Sequence, residues 1–318
     1  MGSSEKAGRN GNDDSSIAVV IPAFNRPKLL LRAIHSVLEQ ELAADEFVVV
    51  DDGSTEDLSE VRRLLEQERG TWIERPCNGG PAAARNEGVQ ATSSTWISFL
   101  DSDDEWLPGK LQAQVSFHHD HPEMPISHVE EQWVRSGKLV LKPAHWKAGG
   151  GDLFESSLQR CSIGPSCVML SRDLWNECGG FDGRFRVCED YELWLRITEK
   201  FPVGLASEEP LVRKHAGTGD QLSFTMPAMD RYRVAALLEF LKGRDEDDTV
   251  RRKTLAALSE KAGIVADGAG KRGREERARL YRDLVAATER GAFKPGEWTE
   301  AIWNELREEN SSEEGFES

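Results

Sequence analysis

Trp96-Ile-Ser-Phe-Leu-Asp-Ser-Asp-Asp-Glu-Trp-Leu-Pro-Gly-Lys110 sets the terms on which the rest of the chain is read. Five residues of strand character, Trp96 to Leu100, run into four acids within five positions, and Pro108 then suits the first turn of a helix. A buried strand that ends in clustered carboxylates holds hard oxygen ligands in a fixed place, as a divalent metal and the phosphates it carries require. The same residues also suit a solvated acidic turn, so the stretches around them have to decide.

Upstream, the pattern of strand, conspicuous end and helix repeats. Ile17–Ile21 is a continuous apolar run of the kind buried on both faces of a sheet, and it breaks at Pro22-Ala-Phe-Asn-Arg-Pro27. Pro27 opens a helix with Leu30, Ala33, Ile34, Val37 and Leu38 at helical spacing. Phe47–Val50 is a second strand ending in Asp51-Asp-Gly-Ser54, where Ser54 and Asp57 resemble a capping box for a helix to about Glu68. Thr71–Glu74 is a short third strand, and Gly79-Gly-Pro81 leads into an Ala-rich helix ending near Gln90. Alternating strands and helices predict a mostly parallel, doubly wound α/β sheet, whose ligands bind outside the carboxyl ends of its strands. Pro22–Asn25, Asp51–Ser54 and Asp101–Asp104 therefore converge on one site, which an acidic turn alone does not explain. The dinucleotide GxGxxG and the phosphate-loop GxxxxGK[ST] are both absent, which disfavours a dehydrogenase or a P-loop enzyme.

Downstream, a helix is expected from Pro108 to His119, then strands near Ile126–Val134 and Lys138–Leu141, and a mobile loop over Pro143–Asp152. Ile163–Leu170 reads as a strand, Arg172–Glu177 and Glu189–Lys200 as helices, and Leu211–Lys214 as a late strand before the Gly217-Thr-Gly219 loop. Beyond Ala228 strand signals vanish, and helical stretches near 228–242, 249–266, 273–290 and 295–309 suggest a helical appendage for packing or self-association. Residues 1–15 read as a disordered leader and 311–318 as an acidic, frayed tail.

Composition bounds the function. A net charge of −16 argues against DNA or RNA as a bulk partner but not against a nucleotide, because a metal can bridge carboxylates and a diphosphate. No apolar run approaches a membrane span. The five cysteines show no CxxC spacing, which argues against a zinc site and for free thiols in a reducing compartment, the cytoplasm by default.

IAVVIPAFNR (17–26), VVVDDGST (48–55), NGGPAAARNEG (78–88), ISFLDSDDEWLP (97–108), GGF (179–181) and EDYELWLR (189–196) occur in this order. Together they resemble the inverting, family-two glycosyltransferases with a GT-A fold, over about residues 16–225, with 16–107 as the nucleotide-binding half and 108–225 as the acceptor half. The C-terminal region, 226–310, lies outside the resemblance, although Met226–Leu241 is similar to a tail of some bacterial members.

The resemblance implies that Pro22, Ala23, Phe24 and Asn25 line the nucleobase pocket, with Phe24 as a stacking aromatic; otherwise Phe24 is a core residue at a strand end. Asp52 would accept from a uracil-like edge or the ribose, with Asp51 supporting the loop, and Arg85 would face the phosphates. Asp101 and Asp103 form the DxD pair: Asp103 ligates a divalent cation, Mn2+ or Mg2+, and Asp101 holds ribose or metal waters. Alternation of an extended chain sets these two on one side and turns Ser102, a neighbour of the nucleotide, away. Asp104 and Glu105 read as supporting or helix-start acids. His215 matches a position near the metal and diphosphate. Asp190, or its neighbour Glu189, would be the general base; helix capping is the plainer role for both.

The implied reaction is transfer of one sugar from a nucleotide-diphospho-sugar, usually a UDP-sugar in this family, to a hydroxyl of a glycan, lipid-linked or small-molecule acceptor. Peripheral contact with the inner face of a membrane is compatible with it. A sugar-phosphate nucleotidyltransferase is the competing enzyme reading, weakened by the missing Gly-rich, basic loop after the first strand. A non-catalytic GT-A binding module is the other alternative. Trp133, His145 and Trp146 lie in the variable half and read either as faces for an acceptor sugar or as core residues.

Overall fold

Apolar runs and helical stripes assort into layers as their periodicities require. The computed structural model describes residues 15–143, 146–216, 228–245, 248–290 and 293–314. Four strands, β1 (Ile17–Ala23), β2 (Glu46–Asp51), β3 (Thr71–Glu74) and β4 (Trp96–Phe99), pair in parallel in the order β3-β2-β1-β4. Along β1 the side chains alternate between the two faces. Ile17, Val19 and Ile21 meet Leu30, Ala33 and Ile34 of α1 (Pro27–Leu38) and Val61 and Leu65 of α2 (Ser59–Gln67). Val20 turns instead to Ala82, Ala84 and Val89 of α3 (Pro81–Gln90). Helix α3 lies close because of Gly88: a Cβ there would stand 2.4 Å from Val20 Cγ1.

The second half joins the same sheet by a different rule. After the two-residue β5 (Glu105–Trp106) and α4 (Lys110–Asp120) come β6 (Ile126–Arg135), β7 (Lys138–Val140), α5 (Phe154–Gln159) and β8 (Val168–Ser171). Strand β8 runs antiparallel between β4 and β6, and β6 then pairs in parallel with β9 (Gly204–Ala216), whose other neighbour is β5. The sheet is therefore mostly parallel in its first half and mixed in its second. Helices α6 (Arg172–Cys178) and α7 (Glu189–Thr198) cover one face, with Leu174, Trp175, Leu193 and Trp194 in the core they share with α3.

Several local expectations are corrected. Ser54 caps no helix: α2 starts at Ser59, and the Ser54 hydroxyl instead accepts the Asn25 N–H at 2.7 Å. The strand expected over Ile163–Leu170 is shortened, because Gly164-Pro165 bends the chain into a single 3-10 turn before β8. The segment before Asp152 is pinned rather than loose. Gly151 pairs with Val203, and Ala148 N–H donates to Glu130 Oε2. The expected leader up to residue 14, the Gly217–Gly219 loop and His145 lie outside the described residues.

Among the described residues four helices follow: α8 (Asp230–Leu241), α9 (Thr249–Lys271), α10 (Glu275–Thr288) and α11 (Pro295–Glu314), the last running into the expected tail. They are no loose appendage. Tyr232, Leu237, Leu238, Leu258, Tyr281 and Ile302 form one continuous core with Phe154 and Leu158 of α5 and Tyr191 and Leu195 of α7. No helix among the described residues is long and apolar enough to cross a membrane.

Candidate functional site

The carboxyl ends of β1, β2 and β4 open on the same side of the sheet, and each is held by a specific clasp. Beyond β1, Phe24 is 42% exposed, so the core alternative for it is excluded. Asn25 and Arg26 both adopt left-handed backbone, a strained state for an arginine. Asn25 is held there because its Oδ1 accepts the backbone N–H groups of Thr55 and Glu56. Pro22 and Ala23 are buried within β1, which leaves them only backbone to offer a ligand. Beyond β2, Asp52 is buried and its two oxygens accept the N–H groups of Gly79 and Gly80, while Arg75 pairs with it. Asp52 thus ties β2 to the start of α3, and only its remaining lone pairs can serve a nucleotide. Asp51 accepts the Ser54 N–H at 3.0 Å.

Beyond β4, the expected extended Asp101-Ser102-Asp103 is instead a tight turn, closed by Asp104 N–H donating to Asp101 O at 3.0 Å. Turn geometry, not strand alternation, presents Asp101 and Asp103, with Ser102 buried at the corner. Asp103 faces Arg26 at 3.3 Å, and its carbonyl accepts from Arg32. Asp104 and Glu105 start no helix, since α4 begins at Lys110. Asp104 is buried, accepting from Ser166 Oγ at 2.7 Å and from the His215 N–H at 3.2 Å. Glu105 gathers Arg32 and Arg213. The His215 ring lies 3.4 Å from Glu105.

Arg85 departs most from expectation. It is 3% exposed, and its guanidinium spans Asp101 at 2.5 Å and Glu189 at 2.7 Å, joining the β4 turn to the first turn of α7. A guanidinium committed at both ends is a brace inside the protein rather than a free phosphate ligand. Glu189 and Asp190 follow Cys188, another left-handed residue, and stand at the positive end of α7. Asp190 is half-buried: Oδ1 accepts the Tyr191 N–H at 2.7 Å, and Oδ2 accepts the Cys161 thiol at 3.0 Å.

The charges sort themselves by burial and partner. Burial opposes ionisation of Asp101, but Arg85 and then Lys214 outweigh it and hold its carboxyl below the ordinary range. Burial pushes Asp104 well up, with Lys214 countering and Asp103 and Asp101 adding to the rise. Burial likewise lifts Glu189 to about 7, against Arg85 and with Asp190 reinforcing it. The Lys214 ammonium, despite burial, is held charged by Glu131, Asp104 and Asp101. Burial first, then Asp190, keeps the Cys161 thiol protonated. Lys214, Glu131, Ser166 and Cys161 went unassigned in the sequence. Only Gly164-Pro165, a turn signal inside an apparent strand, marks that neighbourhood.

No group of three or more His, Cys, Asp or Glu residues among the described ones forms a ready-made cation cage. The donor set nonetheless fits a hard divalent ion, which binds through one or two carboxylates when substrate phosphates complete its shell. Asp103 and Asp101 are partly exposed carboxylates on one turn.

Residues 18–135 match the family model described as glycosyl transferase family 2. The chain is 30% identical over 185 residues to the Escherichia coli UDP-Glc:alpha-D-GlcNAc-diphosphoundecaprenol beta-1,3-glucosyltransferase WfgD, covering 58% of this chain and 70% of that protein. The chain belongs to glycosyltransferase family 2. An uncharacterized glycosyltransferase of Rickettsia bellii is 32% identical over 214 residues, which are 67% of this family-two chain but only 30% of the relative. The chain thus spans about a third of the length of that rickettsial relative. Among solved structures, S. aureus TarS 1–349 in complex with UDP superposes with a TM-score of 0.59 at 16% identity, covering 77% of this chain and 70% of the other. That likeness establishes the GT-A fold of this family-two member.

Proposed function

We propose that this chain is an inverting glycosyltransferase that moves one sugar from a UDP-sugar to a hydroxyl of a lipid-linked or saccharide acceptor in cell-envelope polysaccharide synthesis. The observation that carries the reading is the Arg85 brace. It brings the Asp101–Asp104 turn, where a nucleotide diphosphate would be held, beside the start of α7, where an acceptor would be deprotonated. WfgD, a UDP-Glc transferase acting on a diphosphoundecaprenol, supports the donor and acceptor classes.

In this reading the acceptor oxygen attacks the anomeric carbon from the face opposite the diphosphate, and Asp190 takes the hydroxyl proton. The bond from the anomeric carbon to the diphosphate breaks, and the nucleoside diphosphate leaves with the electron pair. Asp190 suits the role because both oxygens are oriented by neighbours while the residue stays half-buried. Glu189, already committed to Arg85, positions α7 against the turn. Phe24 offers an exposed ring to the base, and Asn25 and Asp52 hold the loops around it. A divalent cation on Asp103 and Asp101, with His215 at the rim, supplies positive charge for the diphosphate when bound.

Thermal-shift titration with UDP, GDP and dTDP, each with and without Mn2+, tests this. Stabilisation is expected with UDP and Mn2+ together and lost in Asp103→Ala. Unchanged Mn2+-dependent UDP binding in that variant would remove the metal assignment. Wild-type transfer rates in Asp190→Asn would remove the base.

A further inference from the structure

The hairpin formed by β6 and β7 is chemically unlike the rest of the molecule. In a chain of net charge −16, residues 133–147 contain Arg135, Lys138, Lys142 and Lys147 and no acid. Leu139, next to the turn, is 66% exposed and Leu141, just past the end of β7, is 99% exposed; both are among the few large apolar side chains left outside among the described residues. Arg135, Lys138 and Lys147 are exposed and have no carboxylate partner among the described residues, whereas Lys142 is bound to Glu130 at 2.5 Å.

The exposure is built in rather than incidental. Ser136 and Gly137 both take positive φ, as a tight two-residue hairpin turn requires, and Arg135 pairs with Lys138 across it. The base is fixed by Lys142 and by Ala148 N–H, both on Glu130, and by the long pairing of β6 with β9 out to Arg135 and Ala216. A pinned hairpin that exposes two leucines among cations has the amphiphilic composition of an interfacial anchor. Its charge complements an anionic surface that the remainder of the protein repels.

We propose that this hairpin, through Leu139, Leu141, Arg135, Lys138 and Lys147, docks the protein on an anionic phospholipid bilayer. The inference does not depend on the reaction assigned above. Glu131, which shares the Lys214 cluster, lies four residues before the turn on the same strand, about 13 Å along an extended chain. Docking by the tip therefore sets the candidate site close to the lipid surface.

Flotation of the full 318-residue chain with vesicles of phosphatidylcholine, alone or mixed with phosphatidylglycerol, tests the proposal. Binding is expected only to the phosphatidylglycerol vesicles, and raised salt is expected to weaken it. R135E/K138E and L139S/L141S are each expected to lower it about tenfold or more, with unchanged unfolding temperatures. No binding, equal binding to neutral vesicles, or binding untouched by both double variants would overturn it. So would a change in solution mass in L139S/L141S without a loss of vesicle binding, since the hairpin would then cover a second copy of the chain.

Discussion

Cys161 and Lys110 are residues whose surroundings fix their chemistry tightly enough for direct tests. The Cys161 thiol donates to Asp190 Oδ2, so it positions the carboxylate assigned to proton removal without touching the reacting atoms. Cys161→Ser keeps a donor of similar size, and transfer within about threefold of wild type is expected. Cys161→Ala removes the donor. A fall in kcat of about tenfold is expected, with KM little changed, as one lost hydrogen bond to a charged group implies. A simple packing defect would lower the unfolding temperature instead, and Cys161→Ser would not restore the rate. Lys110 is fully buried, over the Trp106 ring and bonded to Ser98 Oγ and Val168 O, with burial lowering its pKa from 10.5 to about 7. Between those two values the unfolded chain holds a proton that the folded one lacks, so stability is expected to rise as pH climbs from about 7 to 10.5. Chemical denaturation across that range checks it, and Lys110→Met should flatten the slope.

At the scale of elements, the close approach of α3 to β1 and β2 sets the position of Arg85, one turn away on the same helix. Gly88→Ala gains roughly 1 kcal/mol of helix propensity. It also places a methyl 2.4 Å from Val20 Cγ1 and 3.1 Å from Val50 Cγ2. Overpacking of about 1–3 kcal/mol should outweigh the gain, so lower stability in urea and a loss of activity through a displaced Arg85 are expected. The early strands were legible because Ile17–Ile21 and Phe47–Val50 are uninterrupted apolar runs, and the ends of these and of Trp96–Leu100 named the positions of Phe24, Asp52 and Asp101. The conformation at those ends was not legible. Whether Asp101-Ser102-Asp103 stays extended or turns depends on Ser166, whose hydroxyl accepts the Asp101 N–H and donates to Asp104. Ser166 lies in a segment that reads as a strand, but nothing local in the sequence says that this segment inserts antiparallel beside β4. Lys214 and Glu131 were silent for the same reason, since β6 and β9 meet only in the folded sheet.

Across the whole molecule, the C-terminal helices share a core with α5 and α7, so the start of α7 rests partly on residues far outside the matched family region. Leu238, fully buried in that core, should cost about 2–5 kcal/mol when replaced by Ala. A single unfolding transition that moves as one in this variant is expected by calorimetry; a separate, lower transition for the helices would contradict the shared core. The insertion of β8 beside β4 also has a consequence in time. Strands β1 to β4 emerge consecutively from a ribosome, yet the open edge of β4 waits for Val168–Ser171, about 70 residues later. At elongation speeds of roughly 5–20 residues per second, that edge stays unsatisfied for seconds during every round of synthesis. The nascent chain therefore passes through an interval with an open, pairing-competent strand edge that the finished protein, with β4 enclosed on both sides, no longer shows.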